Sequence, residues 1–338
     1  MSFASLPETT QAERLADLAR AALPAWGLGG ARVSLLKYRE NAVFRVDFPD
    51  APPRVLRVHR PRYRTDAEIR SEMAWMRAVD GAGIHTPAIL PTLDGELVVT
   101  RAATGVPEPR QCDLQGWVEG SPLGTLEGGV DLEGPELRTV YATVGRVAAR
   151  LHAHGAGWTP PADFMRPSWD ADALVGDAPT FGAFWALEEL DGETRRLLLR
   201  ARDGVRRILG ALPPPRALVH GDLIPDNLLV SGDDLHVIDF DDCGASWLGF
   251  ELATTLFPLR VTRGFEDALA GMLAGYRSVR PFPEEELALL PDFLLARGLS
   301  YLGWPVGRAE IASQRAIVPF LAHVLVEMAE ERLAAAAP

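Results

Sequence analysis

The 338-residue sequence predicts an α+β chain of two lobes: an antiparallel-sheet lobe with one packed helix over residues 1–119, and a mainly helical lobe over 120–338. Three observations carry this. Apolar residues alternate with period two through 32–58, as half-buried strands require. After residue 134 the apolar spacing becomes helical. A glycine-rich, proline-containing linker separates the two regimes, and the boundary falls near residue 119.

Residues 10–26 read as an amphipathic helix that stops before the glycines at 27, 29 and 30. Segments 32–38, 42–48 and 54–58 alternate and are separated by turn residues, so they form an antiparallel meander. Thr65 and Glu68 have capping-box spacing. Behind them Ile69, Met73, Met76 and Val79 recur at helical spacing, so 66–80 is a helix packed by one face. Segments 90–93 and 95–100 return to a strand pattern, and 112–120 leads into the linker. Helices are expected at 135–154, 180–211, 247–257, 264–278, 284–302 and 308–334. One hairpin interrupts them: apolar runs 228–230 and 235–238 flank a turn at 231–234, where Gly232 can supply a positive φ.

The net charge of −12 does not favour nucleic acid or an anionic membrane as partner. Cys112 and Cys243 lie far apart, without zinc spacing or a disulfide framework. No basic-then-apolar leader opens the chain, and no apolar run reaches the ~18 residues of a membrane helix, so a soluble cytoplasmic protein is expected. Lys37 is the only lysine.

The segment 218–244 packs seven aspartates around the ends of the hairpin. Carboxylates this close repel one another unless a cation is held among them. Phosphoryl transfer to a hydroxyl uses such a set: hard Mg²⁺ prefers carboxylate and amide oxygens, and a separate carboxylate must orient the attacking hydroxyl. Asp222, Asn227 and Asp239 supply these groups.

His220-Gly221-Asp222 with Asn227 resembles the catalytic loop of protein-kinase-like enzymes, and Ile238-Asp239-Phe240-Asp241 resembles their metal-binding strand end. The His-Gly-Asp form is similar to that of the aminoglycoside phosphotransferase and choline kinase family. The resemblance implies a protein-kinase-like fold, with 1–119 binding nucleotide and 120–338 carrying the catalytic loop, metal site and substrate-binding helices. It implies transfer of the γ-phosphoryl group of ATP, with Mg²⁺, to a hydroxyl of a small molecule such as an aminoglycoside, choline or homoserine-like alcohol. The alternatives are a bacterial Ser/Thr protein kinase of the stress-response type, a non-catalytic nucleotide-binding regulator, and a metal-dependent hydrolase.

Carried over residue by residue, the resemblance makes Asp222 the base or hydroxyl-orienting group, and Asn227 and Asp239 the Mg²⁺ ligands. Asp241 either touches a second metal or faces solvent. Arg57 stands where the family has a lysine on its third strand, and is expected to contact nucleotide phosphate. Glu72 is its expected partner, with Glu68 the rival. The loop 38–42 lacks glycine, and Asn41 is the residue suited to the tight conformation there. Trp117 either stacks on the base or, the favoured choice, seals the core. Glu251 is expected to hold the backbone of the catalytic loop, His220 to brace that loop, and His152 and His154 to cap or pack. Cys243 is expected to be packed rather than reactive. The substrate pocket is expected between the catalytic loop and the helices of 155–215 and 257–338, where Trp169, Trp185, Glu188 and Trp304 are candidates for holding an amine-bearing alcohol.

Overall fold

In the computed structural model, which describes residues 2–49, 51–126, 128–232, 234–308 and 311–335, the chain divides into two units. One comprises 1–119 with 159–165, the other 120–158 with 166–338. The short segment 159–165, expected with the helical lobe, joins the first unit, where the Met165 N–H donates to Ser71 Oγ at 2.9 Å.

The first unit opens with helix α1 (Glu8–Ala22), followed by a 3₁₀ turn at Leu23–Trp26. The meander appears as β1 (Arg32–Tyr38), β2 (Ala42–Asp47) and β3 (Arg54–Val58), followed by α2 (Asp66–Gly81). Three further strands complete the sheet: β4 (Ile89–Leu90), β5 (Val99–Arg101) and β6 (Arg110–Gly116). The order is β1-β2-β3-β6-β4, with β5 also pairing β6, and every pairing is antiparallel. Alternation sends Phe44, Val46, Leu56, Val58, Cys112 and Leu114 to one face, where Leu15, Leu18 and Trp26 cover them. The capping box forms as its spacing predicts, with Thr65 Oγ1 accepting from the Glu68 N–H and the Thr65 N–H donating to Glu68 Oε2 at 2.8 Å. The expected strand at 90–93 ends at Leu90, because Pro91 has no N–H to pair and the chain turns at Thr92–Gly95.

The second unit contains β7 (Ser121–Pro122), α3 (Gly134–Gly157), α4 (Ala171–Val175) and α5 (Gly192–Gly210). The expected helix over 180–211 is therefore much shorter. Asp191 caps it, accepting from the N–H groups of Glu193 and Thr194 at 2.8 Å each, and only a 3₁₀ turn at Phe184–Ala186 precedes it. Then come β8 (Ala217–Val219), the hairpin strands β9 (Leu228–Ser231) and β10 (Asp234–Val237), and β11 (Gly244–Ser246). Gly232 has the expected positive φ of 61°, while Asp233 of the same turn lies outside the described residues. The β8–β11 pair frames the acidic segment and was not foreseen, since three-residue strands are too short to show a period.

Helices α6 (Leu248–Val261), α7 (Phe265–Arg277), α8 (Glu284–Ala288), α9 (Leu290–Gly303) and α10 (Val318–Ala335) follow. The expected helix 284–302 breaks at Leu289, where Pro291 suits only the first turn of a new helix. The one expected over 308–334 begins with a 3₁₀ turn at Ala312–Ile317, and residues 309–310 lie outside the described residues. Helices α3 and α7 approach so closely that a Cβ on Gly145 would sit 2.1 Å from the Met272 carbonyl oxygen. Helices α6 and α9 are mostly apolar and buried on nearly every side, each carrying a few polar side chains such as Glu251 and Arg297. Among the described residues no helix is long and apolar enough to cross a membrane.

Candidate active site

Strand β8 delivers His220, Gly221 and Asp222 into a tight turn. Gly221 has φ 81°, and a Cβ there would lie 2.2 Å from the Asp242 carbonyl oxygen, so only glycine fits both the conformation and the space. Glu251, in the first turn of α6, fastens the loop by accepting from the His220 N–H at 2.9 Å and the Gly221 N–H at 2.8 Å. Burial alone would raise the Glu251 carboxyl. His152, His220 and the Gly221 N–H outweigh burial and hold it below the ordinary range. His152 stands 3.8 Å away, with its Nδ1 2.9 Å from the Tyr276 hydroxyl. His152 is thus a packed residue of this network, whereas His154 stacks on Trp158 at the end of α3.

His220 is fully buried against Phe240, with ring centroids 4.5 Å apart. Its Nδ1 accepts the Asp222 N–H at 3.2 Å, so its Nε2 must be the donor to the Ile238 carbonyl at 3.1 Å. That is the neutral tautomer, and burial pushes its pKa down accordingly. The ring links the loop to the strand end beyond β10.

Asp222 has both carboxylate oxygens engaged. Asn227 Nδ2 donates to Oδ2 and to the Asp222 backbone carbonyl, each at 2.9 Å, and Arg297 Nη2 donates to Oδ1 at 2.5 Å. Arg297 projects from α9, also donates to the Tyr301 hydroxyl at 2.8 Å, and keeps 3% side-chain exposure against 22% for Asp222. Burial works against its charge, but Tyr301 and Asp222 more than offset that, and its pKa is raised. Burial pushes the Tyr301 phenol up as well. Sequence reasoning missed Arg297. The available signal was a lone arginine in an otherwise apolar helical stretch.

The Asn227 carbonyl accepts the Ile238 N–H at 3.0 Å, which continues the β9–β10 register and sets Asp239 next to Asn227. Asp239 has φ 63°, a left-handed conformation uncommon outside glycine. With its amide NH₂ committed to Asp222, Asn227 has its side-chain oxygen to offer a cation, and the Asp239 carboxylate follows one residue beyond Ile238, the backbone partner of Asn227. This hard-oxygen pair fits Mg²⁺. Among the described residues no group of three or more His, Cys, Asp and Glu is placed to hold a metal ion. Asp241 does not face solvent. It is buried, and its carbonyl accepts from Arg166, whose Nε also donates to the Cys243 carbonyl at 2.7 Å. Cys243 is packed, as expected.

The aromatic candidates for substrate are occupied by the protein itself. Trp169 is buried, stacks on Phe181 at 5.0 Å and donates its indole N–H to the Asp242 carbonyl at 2.8 Å. Trp185 carries the Arg202 guanidinium 5.0 Å from its ring and Trp304 carries that of Arg308 at 4.4 Å, while Glu188 is exposed. Trp169 is therefore closed to substrate, while Trp185 and Trp304 are half-buried with an arginine against each ring.

In the first unit Arg57 is buried at the centre of the sheet, opposite Asp113 of β6. Its Nη1 donates to Glu72 Oε1 at 2.8 Å, and its Nε donates to the two oxygens of Asp113 at 3.2 and 2.9 Å. Glu72 is therefore its ion-pair partner on α2, since Glu68 is spent on the capping box. His59 Nε2 lies 2.6 Å from Asp113 Oδ2, and Gln115 Nε2 donates to Oδ1 at 3.2 Å. Burial would raise the Asp113 carboxyl, but Arg57 and His59 overcome this and hold it below the usual carboxylate range. Sequence reasoning passed over Asp113, because cross-strand pairing was needed to place it.

Asn41 and Trp117 lie apart from this cluster. Asn41 does not adopt the left-handed conformation expected of it, since Arg62 and Asp239 are the positive-φ non-glycine residues described. Instead its side-chain oxygen accepts the Arg60 N–H at 3.2 Å, tying the 38–42 loop to the end of β3. Trp117 is half-buried under the Arg45 guanidinium, 4.5 Å from the ring, rather than sealed in the core. Lys37 sits in β1 opposite Val43.

A family model described as "phosphotransferase enzyme family" matches residues 34–287. A homoserine kinase of Rhizobium etli is 29% identical over 293 residues, covering 78% of each chain. A solved microcompartment-associated aminopropanol kinase is 31% identical with a TM-score of 0.80, over 94% of this chain and 98% of that one. An amicoumacin kinase, solved with AMP-PNP and Ca²⁺, shares the fold with a TM-score of 0.68 at 18% identity, over 87% and 88% of the two chains.

Proposed function

Because the chain belongs to the phosphotransferase enzyme family, we propose that it moves the γ-phosphoryl group of ATP to a hydroxyl of a small amine-bearing alcohol, as a Mg²⁺-dependent kinase of the cytoplasm. One observation carries this reading: Asn227 binds the Asp222 carboxylate through its amide and the Ile238 N–H through its carbonyl. On this reading Asn227 joins a hydroxyl-orienting carboxylate in the preceding loop to a hard-oxygen metal pair at the base of the β9–β10 hairpin.

In this mechanism Asp222 aims the acceptor hydroxyl and takes its proton as the new O–P bond forms, while the bond from the γ-phosphorus to the β,γ-bridging oxygen breaks and ADP leaves with that electron pair. Arg297 and Asn227 hold the carboxylate in a single rotamer, so little reorganisation remains for the reaction. Glu251 keeps the loop backbone in place behind it. Asn227 and Asp239 would hold Mg²⁺, which when bound neutralises charge on the transferring phosphates. Arg57, held by Glu72, contacts the nucleotide phosphates. Asn41 orders the phosphate-side loop, and Trp117 borders the segment that meets the base.

Arg297, the buried arginine beside Asp222, is neutralised by it. That favours an acceptor without a carboxylate, such as aminopropanol, over homoserine, and likeness to an aminopropanol kinase over nearly the whole chain supports the same choice. The test is Mg·ATP consumption in the presence of aminopropanol, homoserine, choline and aminoglycosides. Acceptor-dependent ADP release with an amino alcohol is expected. No ADP release with any acceptor, together with no nucleotide-dependent thermal shift, would overturn the reading.

A further inference from the structure

Asp113 is wholly buried in the middle of β6, directly across from Arg57. A carboxylate in such a place is costly unless fully paired. Here it is paired: Arg57, His59 and Gln115 all reach it, and each is itself buried. A guanidinium is a planar fork whose N–H groups have fixed directions, whereas an ammonium is a point charge on a flexible stem. Glu72 holds one edge of that fork through Nη1, and Asp113 holds another through Nε. Glu72 alone would leave the plane free to pivot about a single bond. Two carboxylates on different edges fix it.

We propose that Asp113 is a positioning residue of the nucleotide site: with His59 behind it, it sets the guanidinium plane of Arg57 toward the nucleotide phosphates and makes position 57 specific for arginine. This rests on the reading that Arg57 contacts phosphate. Lysine brings the same single charge but no planar fork, so at 57 it cannot donate to Glu72 and Asp113 along the two edges found here. One buried carboxylate then loses the donor that arginine gives it. Asn at 113 removes the charge of that carboxylate while its side-chain oxygen still accepts from His59.

Wild type, D113N, R57K and R57K/D113N are titrated by calorimetry with Mg·ATP and, separately, with adenosine, which has no phosphate. D113N should weaken Mg·ATP binding about tenfold and leave adenosine within about twofold, since the loss acts through the guanidinium fork. R57K should lose roughly 10–100-fold for Mg·ATP, and R57K/D113N should regain at least about fivefold over R57K, a coupling only contacting groups show. Equal weakening of adenosine and Mg·ATP in D113N, or a double variant no tighter than R57K, overturns the proposal. R57M separates the levels. If it binds Mg·ATP like wild type, the phosphate contact and this inference fall together. If it binds weakly while D113N binds normally, only the role of Asp113 falls. Should D113N not fold, His59→Leu takes its place, because it keeps Arg57 and Asp113 but removes one of the two partners of Asp113 Oδ2. Weakened Mg·ATP with unchanged adenosine supports the proposal, and unchanged Mg·ATP binding overturns it.

Discussion

Replacing Asp222 by alanine should destabilise the protein as well as silence it, although removing a functional carboxylate often relieves strain. The reason is Arg297, which keeps 3% side-chain exposure and takes Asp222 Oδ1 as its counter-ion. Stripping one partner from a buried ion pair costs about 3–5 kcal/mol. Two features of the site lower that figure. Asp222 is 22% exposed, and Arg297 keeps the Tyr301 hydroxyl at 2.8 Å, so about 2–3 kcal/mol is expected for the pair. Asn227 Nδ2 also loses its side-chain acceptor, though it keeps the carbonyl of residue 222, which adds about 0.5–1 kcal/mol. A total near 3 kcal/mol lowers the Tm of a unit this size by about 6–12 °C. Scanning calorimetry of wild type, Asp222→Ala, Arg297→Met and the double variant is the assay. The double variant should cost less than the sum of the singles by about 1.5–3 kcal/mol, because it leaves no buried charge alone. A Tm for Asp222→Ala at or above that of wild type, or strict additivity in the double variant, would refute the reasoning.

Asp239→Ala should abolish most of the Mg²⁺ dependence of ATP affinity while leaving adenosine binding intact; titrations with and without Mg²⁺ check this, and an unaltered Mg²⁺ response removes Asp239 from the metal site. Glu251→Gln loses the acceptor for one of two loop N–H groups and should cost about 1–3 kcal/mol at neutral pH. The sign of its pH dependence follows from the lowered folded pKa. The stability Glu251 contributes is full above its unfolded pKa and is lost as pH falls through the folded value, so the gap between wild type and Glu251→Gln in urea midpoint should close as pH drops below about 4.5. Gly221→Ala forces a side chain into φ 81° and against the Asp242 carbonyl. It should cost about 1–3 kcal/mol of strain and lower turnover, measured by denaturant midpoint and ATP consumption on the same preparation.

The parts of the site that could be read from residue order are those built over short separations. Asp222, Asn227 and Asp239 sit within one turn and hairpin; Asn227 donates to the Asp222 carboxylate, and the β9–β10 register pairs it with Ile238, the neighbour of Asp239. The capping box is similarly local, and by consuming Glu68 it leaves Glu72 to meet Arg57. The strands at 32–58 have a period long enough to recognise. Local reasoning failed where a short polar stretch admits several outcomes. Asn41 turned to the Arg60 N–H instead of into a left-handed turn, and the tryptophans singled out for substrate were taken by Phe181, Arg202 and Arg308.

By itself, then, the sequence determined the chemistry: which acids gather, in what order, and that a sheet-rich segment precedes a helical one. Only the tertiary structure decided how those acids are neutralised. Arg297 lies 75 residues from Asp222 and Asp113 lies 56 from Arg57, and neither pairing leaves a mark on the local periodicity of its own element. Burial makes such partners obligatory, because a charge removed from water must be met by another. Which residue meets it depends on how helices and strands pack, and that is settled only when the chain closes on itself.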